Sequence, residues 1–124
     1  MPVTPNPTTC AVRRSQQEIV FSHFGPLDEL KYSPPYWRPG SLIREAVGLL
    51  RVPDTVTVDL LRQSMLTGTT SIIEQVTWPA GSYSAFLDAV EMEPLERDEQ
   101  LVIYLSDLGG GAAEDLSLTV TWVQ

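Results

Sequence analysis

The sequence predicts an all-β protein: an antiparallel β-sandwich or jelly roll of about seven or eight short strands, entered through an extended N-terminal arm. Three observations carry that expectation. Apolar and polar residues alternate with period two over several short runs, the pattern of strands with one buried and one wet face. Turn residues punctuate the runs about every 8–12 positions. β-Branched residues are abundant, with threonines at the wet positions, as a pleated surface favours.

Residues 1–17 read as the arm and residues 18–124 as the sandwich domain. In the arm Pro2, Pro5 and Pro7 alternate with Val3, Thr4, Asn6, Thr8 and Thr9, and proline excludes both a helix and a central strand. Arg13 and Arg14 are its only charged side chains, so the arm carries +2 and the remainder −10. Two readings stand: a disordered terminus, or an inter-subunit arm that orders on a neighbour through Pro2, Pro5, Pro7, Arg13 and Arg14.

Glu18 to Phe24 is the first strand, and Gly25-Pro26 turns the chain. Lys31 to Pro39 carries Tyr32, Tyr36, Trp37 and three prolines, which suits an edge segment or loop capping one end of the core. Ser41 to Leu50 fits two templates. Leu42, Ile43, Ala46, Leu49 and Leu50 make a helical stripe that Ser41 could cap, while Ile43, Val47 and Leu49 make a strand face with Glu45 discordant. Its shortness and its strand neighbours favour the strand.

Val56, Val58 and Leu60 then face a core opposite Thr55, Thr57 and Asp59. Arg62 to Thr69 reads as a loop, and Ile72, Val76 and Trp78 share the next face with Glu74 as an outlier. Beyond the turn Pro79-Ala80-Gly81-Ser82, the residues Tyr83, Ala85, Leu87 and Ala89 face inward, with Phe86 and Val90 opposite. Glu91 to Gln100 is an acidic connection. Leu101 to Gln124 reads as a hairpin with Leu101, Ile103 and Leu105 on one strand face. Leu116, Leu118, Val120 and Trp122 lie on the other, and Gly109-Gly110-Gly111 form a flexible connection.

The composition narrows the function. A chain of 124 residues, 43% hydrophobic, is one domain able to bury a core without disulfides or metal. Cys10 is its only cysteine, so no internal disulfide forms. No run approaches the roughly 18 apolar residues of a membrane helix, and no apolar signal core opens the chain. A net charge of −8 argues against a phosphate backbone as partner. His23, the only histidine, lies among Phe21 and Phe24 and reads as structural, with no nucleophile motif around it. One histidine and one cysteine do not make a zinc site. Gly109-Gly110-Gly111 lacks the lysine and the following helix of a phosphate loop. The run Glu91, Glu93, Glu96, Asp98 and Glu99 lacks calcium-loop spacing and reads as solvated charge that discourages edge pairing. No catalytic, metal-binding or cofactor-binding residue is assigned, and enzymatic activity is not expected.

One resemblance spans about 100 residues in consistent order. It is carried by Phe21-Ser22-His23-Phe24-Gly25-Pro26-Leu27, Tyr32-Ser33-Pro34-Pro35, Pro53 and Val56-Thr57-Val58-Asp59-Leu60. Gly68-Thr69-Thr70-Ser71-Ile72, Pro79-Ala80-Gly81-Ser82, Asp98, Leu101-Val102-Ile103, Leu108-Gly109-Gly110 and Ala112 through Thr121 continue it. In this order the chain resembles a β-sandwich module of tailed-bacteriophage virion proteins, of the minor tail and tail-fibre type, and is similar to some head decoration proteins. It departs from the module at Arg62 to Thr67, at Tyr104 and in the acidic 91–99 connection. The matching positions are turns and core residues, so no functional residue is carried over.

The resemblance implies a non-enzymatic structural protein located in the virion: a subunit of the tail or fibre apparatus, or a capsid decoration (cement) protein. Its implied partners are other virion proteins and further copies of itself in a homo-oligomer, with a trimer as the expected closed form. Neither nucleic acid nor membrane is an expected partner. The alternative is a carbohydrate-binding module for host recognition, in which Tyr32, Tyr36 and Trp37 stack on a host-surface glycan.

Overall fold

The computed structural model describes residues 16–88, 90 and 92–123. The arm residues Pro2, Pro5, Pro7, Arg13 and Arg14, together with Cys10, lie outside the described residues. Eight strands are present among the described residues: β1 (Gln16–Pro26), β2 (Lys31–Tyr32), β3 (Leu42–Val52), β4 (Thr57–Ser64), β5 (Thr70–Thr77), β6 (Ser84–Asp88), β7 (Glu99–Asp107) and β8 (Glu114–Val123). They form two four-stranded antiparallel sheets. Sheet A has the order β1-β8-β3-β6, and sheet B the order β2-β7-β4-β5. This is the predicted β-sandwich.

Sheet assignment follows the chain in an alternating way. Every connection between consecutive strands passes from one sheet to the other except β4 to β5, which stays within sheet B. The stretch expected to be a hairpin, Leu101 to Gln124, is therefore split. β7 lies in sheet B between β2 and β4, while β8 lies in sheet A between β1 and β3. Alternation marks a face that is buried, but it does not say which neighbour a strand pairs with. Both strands have the expected inner residues: Leu101, Ile103, Leu105, Leu118 and Val120 are fully buried, and Leu116 and Trp122 nearly so.

The 109–112 connection is fastened rather than free. The Asp54 carboxylate accepts the backbone N–H of Gly110 at 2.8 Å and of Ala112 at 3.0 Å, and also that of Thr55 at 2.7 Å. Gly109 has φ +69° and runs so close to Asp54 that a side chain there would meet the carboxylate at 2.9 Å. Those glycines are a geometric requirement of the crossing between sheets.

Local irregularities decide which residues face inward. The 42–52 segment is the strand expected, but its inner residues are Ile43, Ala46, Gly48 and Leu50. Arg44 is the extra residue of a bulge, since Ile43 pairs with Trp122 and Glu45 with the adjacent Thr121. An unbroken strand would have turned the Glu45 carboxylate into the core, at a cost of several kcal/mol. The bulge avoids this and sends Val47 and Leu49 outward instead. A second bulge between the Leu60–Glu74 and Leu61–Ile72 pairs places Ile73 against the core and turns Ile72 out.

Three further boundaries differ from the sequence reading. β1 starts at Gln16, which pairs with Val123, so Gln16 and Gln17 belong to the strand and not to the arm. β4 runs on to Ser64, so Arg62, Gln63 and Ser64 are strand and only 65–69 form the loop before β5. Tyr83 is exposed, and Ala85 and Leu87 are the inward residues of β6.

The two sheets meet over Trp78. Its side chain is fully buried, and a Cβ built on Gly48 would overlap its six-membered ring. Gly48 pairs with Ala85 across β3 and β6, so small residues on sheet A make room for the indole. Nε1 of Trp78 and of Trp122 is buried without an acceptor among the described residues, at about 1–3 kcal/mol each. Burying some 200 Å² of indole gives back about 5 kcal/mol, which outweighs that cost.

Gly48→Ala should therefore lower the unfolding free energy by about 2–3 kcal/mol in urea denaturation, the upper range for overpacking. Adding Trp78→Leu should make the second change less costly than it is alone, because the clash has been removed. Additive losses would show that the two residues do not constrain each other.

Candidate interaction surface

Cross-strand pairing lays out the outward residues of sheet A in rows. Glu18, Thr121, Glu45 and Asp88 form one row from β1 to β6. Two residues along each strand lies the row Val20, Thr119, Val47 and Phe86, and beyond it Ser22, Ser117, Leu49 and Ser84. Each row crosses four strands, about 14 Å, and successive rows lie about 7 Å apart. Val20 (58% exposed), Leu49 (54%) and Phe86 (63%) project into solvent, with Val47 beside them. The result is an apolar stripe bordered on one side by three carboxylates.

The opposite end of this face is held by Asp115. Its backbone adopts φ +55°, a left-handed conformation that aspartate tolerates better than most residues. One carboxylate oxygen accepts the Gly25 N–H of β1 at 2.5 Å, and the other accepts Arg51 Nε of β3 at 2.5 Å. Asp115 thus ties β8 to both of its neighbours. Arg51 also pairs with Glu114 at 2.6 Å, but it is well exposed, so water screens the pair and it adds little to stability. His23 Nε2 hydrogen-bonds the Pro26 carbonyl at 3.1 Å where β1 departs from regular pairing, a structural role as expected.

On the outer face of sheet B, Tyr32, Tyr104, Asp59 and Gln75 form a row across all four strands. Tyr32 and Tyr104 stack with centroids 3.9 Å apart and rings 12° from parallel. Gln75 Nε2 donates to Asp59 Oδ1 at 2.8 Å. Burial raises the Tyr104 phenol above its ordinary value, with smaller contributions from Tyr32 and Asp59. Beside this row lies an open groove of about 270 Å³ lined by Tyr32, Ser33, Pro35, Gln63, Thr70 and Val102.

The three aromatic residues singled out in the sequence take three different partners. Tyr32 stacks on Tyr104, on the outer face of sheet B. Tyr36 is half-buried, edge-on to the core residue Trp122 with centroids 6.4 Å apart. Trp37 is exposed, and its Nε1–H donates to the Arg97 carbonyl at 2.8 Å. In the acidic connection, Glu99 pairs with Arg62 at 3.5 Å and Leu95 is buried, so part of that run is strapped to the domain. No group of three acidic, histidine or cysteine side chains gathers in metal-binding geometry among the described residues.

The apolar stripe on sheet A was missed because Val47 and Leu49 looked like core. Glu45 was the available signal, since one charge out of phase in an apolar strand face marks a bulge.

No protein-family model matches the chain, and no curated protein matches it. Among solved structures, it is similar to a chain from work titled "Bacillus endospore appendages form a novel family of disulfide-linked pili". There the identity is 21%, the alignment covers 90% of this chain and 88% of that one, and the TM-score is 0.42. It is also similar to a chain of the cyanophage Pam1 capsid asymmetric unit, at 12% identity, 90% and 83% coverage and a TM-score of 0.42. Likenesses at this level do not bear on function.

Asp54 and Asp115 set an expected response to acid. Backbone N–H donation from Ala112, Gly110 and Thr55 holds the Asp54 carboxyl below its usual range. Asp115 is lowered chiefly by the hydrogen bond from Arg51, and then by that from Gly25. Both carboxyls bind protons less readily folded than unfolded. Their contribution is complete above the unfolded value near pH 4 and disappears as pH falls through the lower folded values. Tm should be flat from about pH 5 to 8 and drop below about pH 4, with a shallower acid slope for Asp54→Ala. An unchanged slope in that variant would remove Asp54 from the account.

Proposed function

We propose that this protein is a non-enzymatic structural subunit of a bacteriophage virion, either in the tail or fibre apparatus or as a capsid decoration protein. It packs against neighbours through the outer face of sheet A and through its N-terminal arm. The observation that carries this reading is the exposed stripe of Val20, Val47, Leu49 and Phe86. An exposed apolar stripe on a folded domain, here crossed by Thr119 between Val20 and Val47, supports reading the face as one that meets a partner. The strand orders β1-β8-β3-β6 and β2-β7-β4-β5 support reading the sandwich as a jelly roll, an architecture used in viral capsid and lectin domains. The ordered resemblance to virion sandwich modules supports the placement.

Gold-labelled antibody against the folded domain, applied to purified phage particles, tests the reading. Label at a regular position on the virion is expected. Protein present in infected cells and absent from purified particles would refute it.

The row Tyr32, Tyr104, Asp59 and Gln75 favours a second reading, binding of a host-surface glycan. Aromatic rings offer apolar faces to sugar rings, and the exposed Gln75 amide, held by the buried Asp59 carboxylate, offers hydrogen bonds to hydroxyls. On that reading the site is the outer face of sheet B, with Tyr36 and Trp37 outside it. Binding on a glycan array that Tyr32→Ala abolishes while circular dichroism is unchanged is the expected outcome. No binding to any arrayed glycan would eliminate it.

A further inference from the structure

The sandwich presents a surface whose charge and polarity complement the chain's own N-terminal arm. Residues 1–15 carry +2 and no acid, whereas the remainder carries −10. On sheet A the carboxylates of Glu18, Glu45 and Asp88 outnumber the one exposed cation beside them, Arg44 in the bulge next to Glu45, and their row adjoins the apolar row of Val20, Val47 and Phe86. In the arm, Ala11 and Val12 directly precede Arg13 and Arg14. Small apolar residues and two guanidinium groups in succession match an apolar row bordered by carboxylates about 7 Å away.

Folding back onto its own sheet would leave the arm only Ser15 for the reversal. Gln16 is already paired with Val123, so only Ser15 separates Arg14 from the paired strand. Reversing an extended chain takes at least a two-residue turn. An arm arriving from another copy meets no such constraint. Fifteen extended residues reach about 50 Å, more than three times the 14 Å width of the sheet. Pro2, Pro5 and Pro7 keep the leading part of the arm from adding to a sheet edge as a regular strand.

We propose that the N-terminal arm of one copy lies across the outer face of sheet A of the next, with Arg13 and Arg14 over Glu18, Glu45 and Asp88. This deepens the subunit reading given above by naming the surface that receives the arm. Each copy then gives one arm and accepts one. Such a head-to-tail contact generates a ring where the rotation closes and a filament where it does not.

The test is the solution mass of the full chain by analytical ultracentrifugation across the micromolar range, at low and high salt. The intact protein should self-associate, and high salt should weaken association because the pairs are exposed. Arg13→Glu with Arg14→Glu should weaken it by about tenfold or more, as should Glu45→Lys with Asp88→Lys. Combining both pairs of changes should restore much of the loss. Glu45 and Asp88 lie outside the core, and circular dichroism on each variant confirms folding.

A monomeric intact chain would overturn the proposal. So would association that deletion of residues 1–15 abolishes but the Glu45→Lys, Asp88→Lys variant leaves unchanged, since the arm would then dock elsewhere. Because antibody labelling of particles does not depend on the solution mass, failure here is distinguishable from failure of the virion reading.

Discussion

The closeness of Trp78 to the backbone of Gly48 sets the geometry of the whole sandwich. An indole between two sheets fills much of the roughly 10 Å that separates stacked sheets. It can do so only where the opposing sheet offers no side chain, and β3 provides that place with Gly48 beside Ala85. For Gly48 to face inward, β3 must be in the correct phase, and the Arg44 bulge sets that phase. The same bulge sends Val47 and Leu49 to solvent. The packing of the core and the apolar stripe on the surface thus have one local cause.

The closure of the fold depends on contacts distant in sequence. β1 and β8 pair along most of their length, so the first described strand is held by the last. Asp54 fastens the 109–112 crossing, and Asp115 joins β8 to Gly25 and Arg51. Acidic side chains provide these fastenings by accepting backbone N–H groups that would otherwise lack partners at turns. Part of the chain's large acidic content is therefore structural and not merely solvated surface.

Much of this was legible in the residues. The faces Val56-Val58-Leu60, Leu101-Ile103-Leu105 and Leu116-Leu118-Val120-Trp122 follow from period-two alternation, and each is buried as read. The strand at 41–50 was also legible, because its neighbours are strands and it is short. Pairing was not legible, since alternation is the same whichever sheet a strand joins; β7 and β8 therefore looked like a hairpin. Bulges at Arg44 and Ile73 were visible only as charges out of phase, at Glu45 and Glu74. Tyr104 as partner of Tyr32 was beyond reach, because stacking across strands depends on register.

The proposed function rests on the outer face of sheet A being buried in an assembled particle. Hydroxyl-radical footprinting read by mass spectrometry, comparing isolated protein with intact particles, measures this directly at Phe86 and Leu49. The account predicts strong protection of both residues in the particle, with Leu66 (81% exposed, in the 65–69 loop of sheet B) as an internal reference that stays reactive. Equal labelling of Phe86 and Leu49 in the two samples would contradict it.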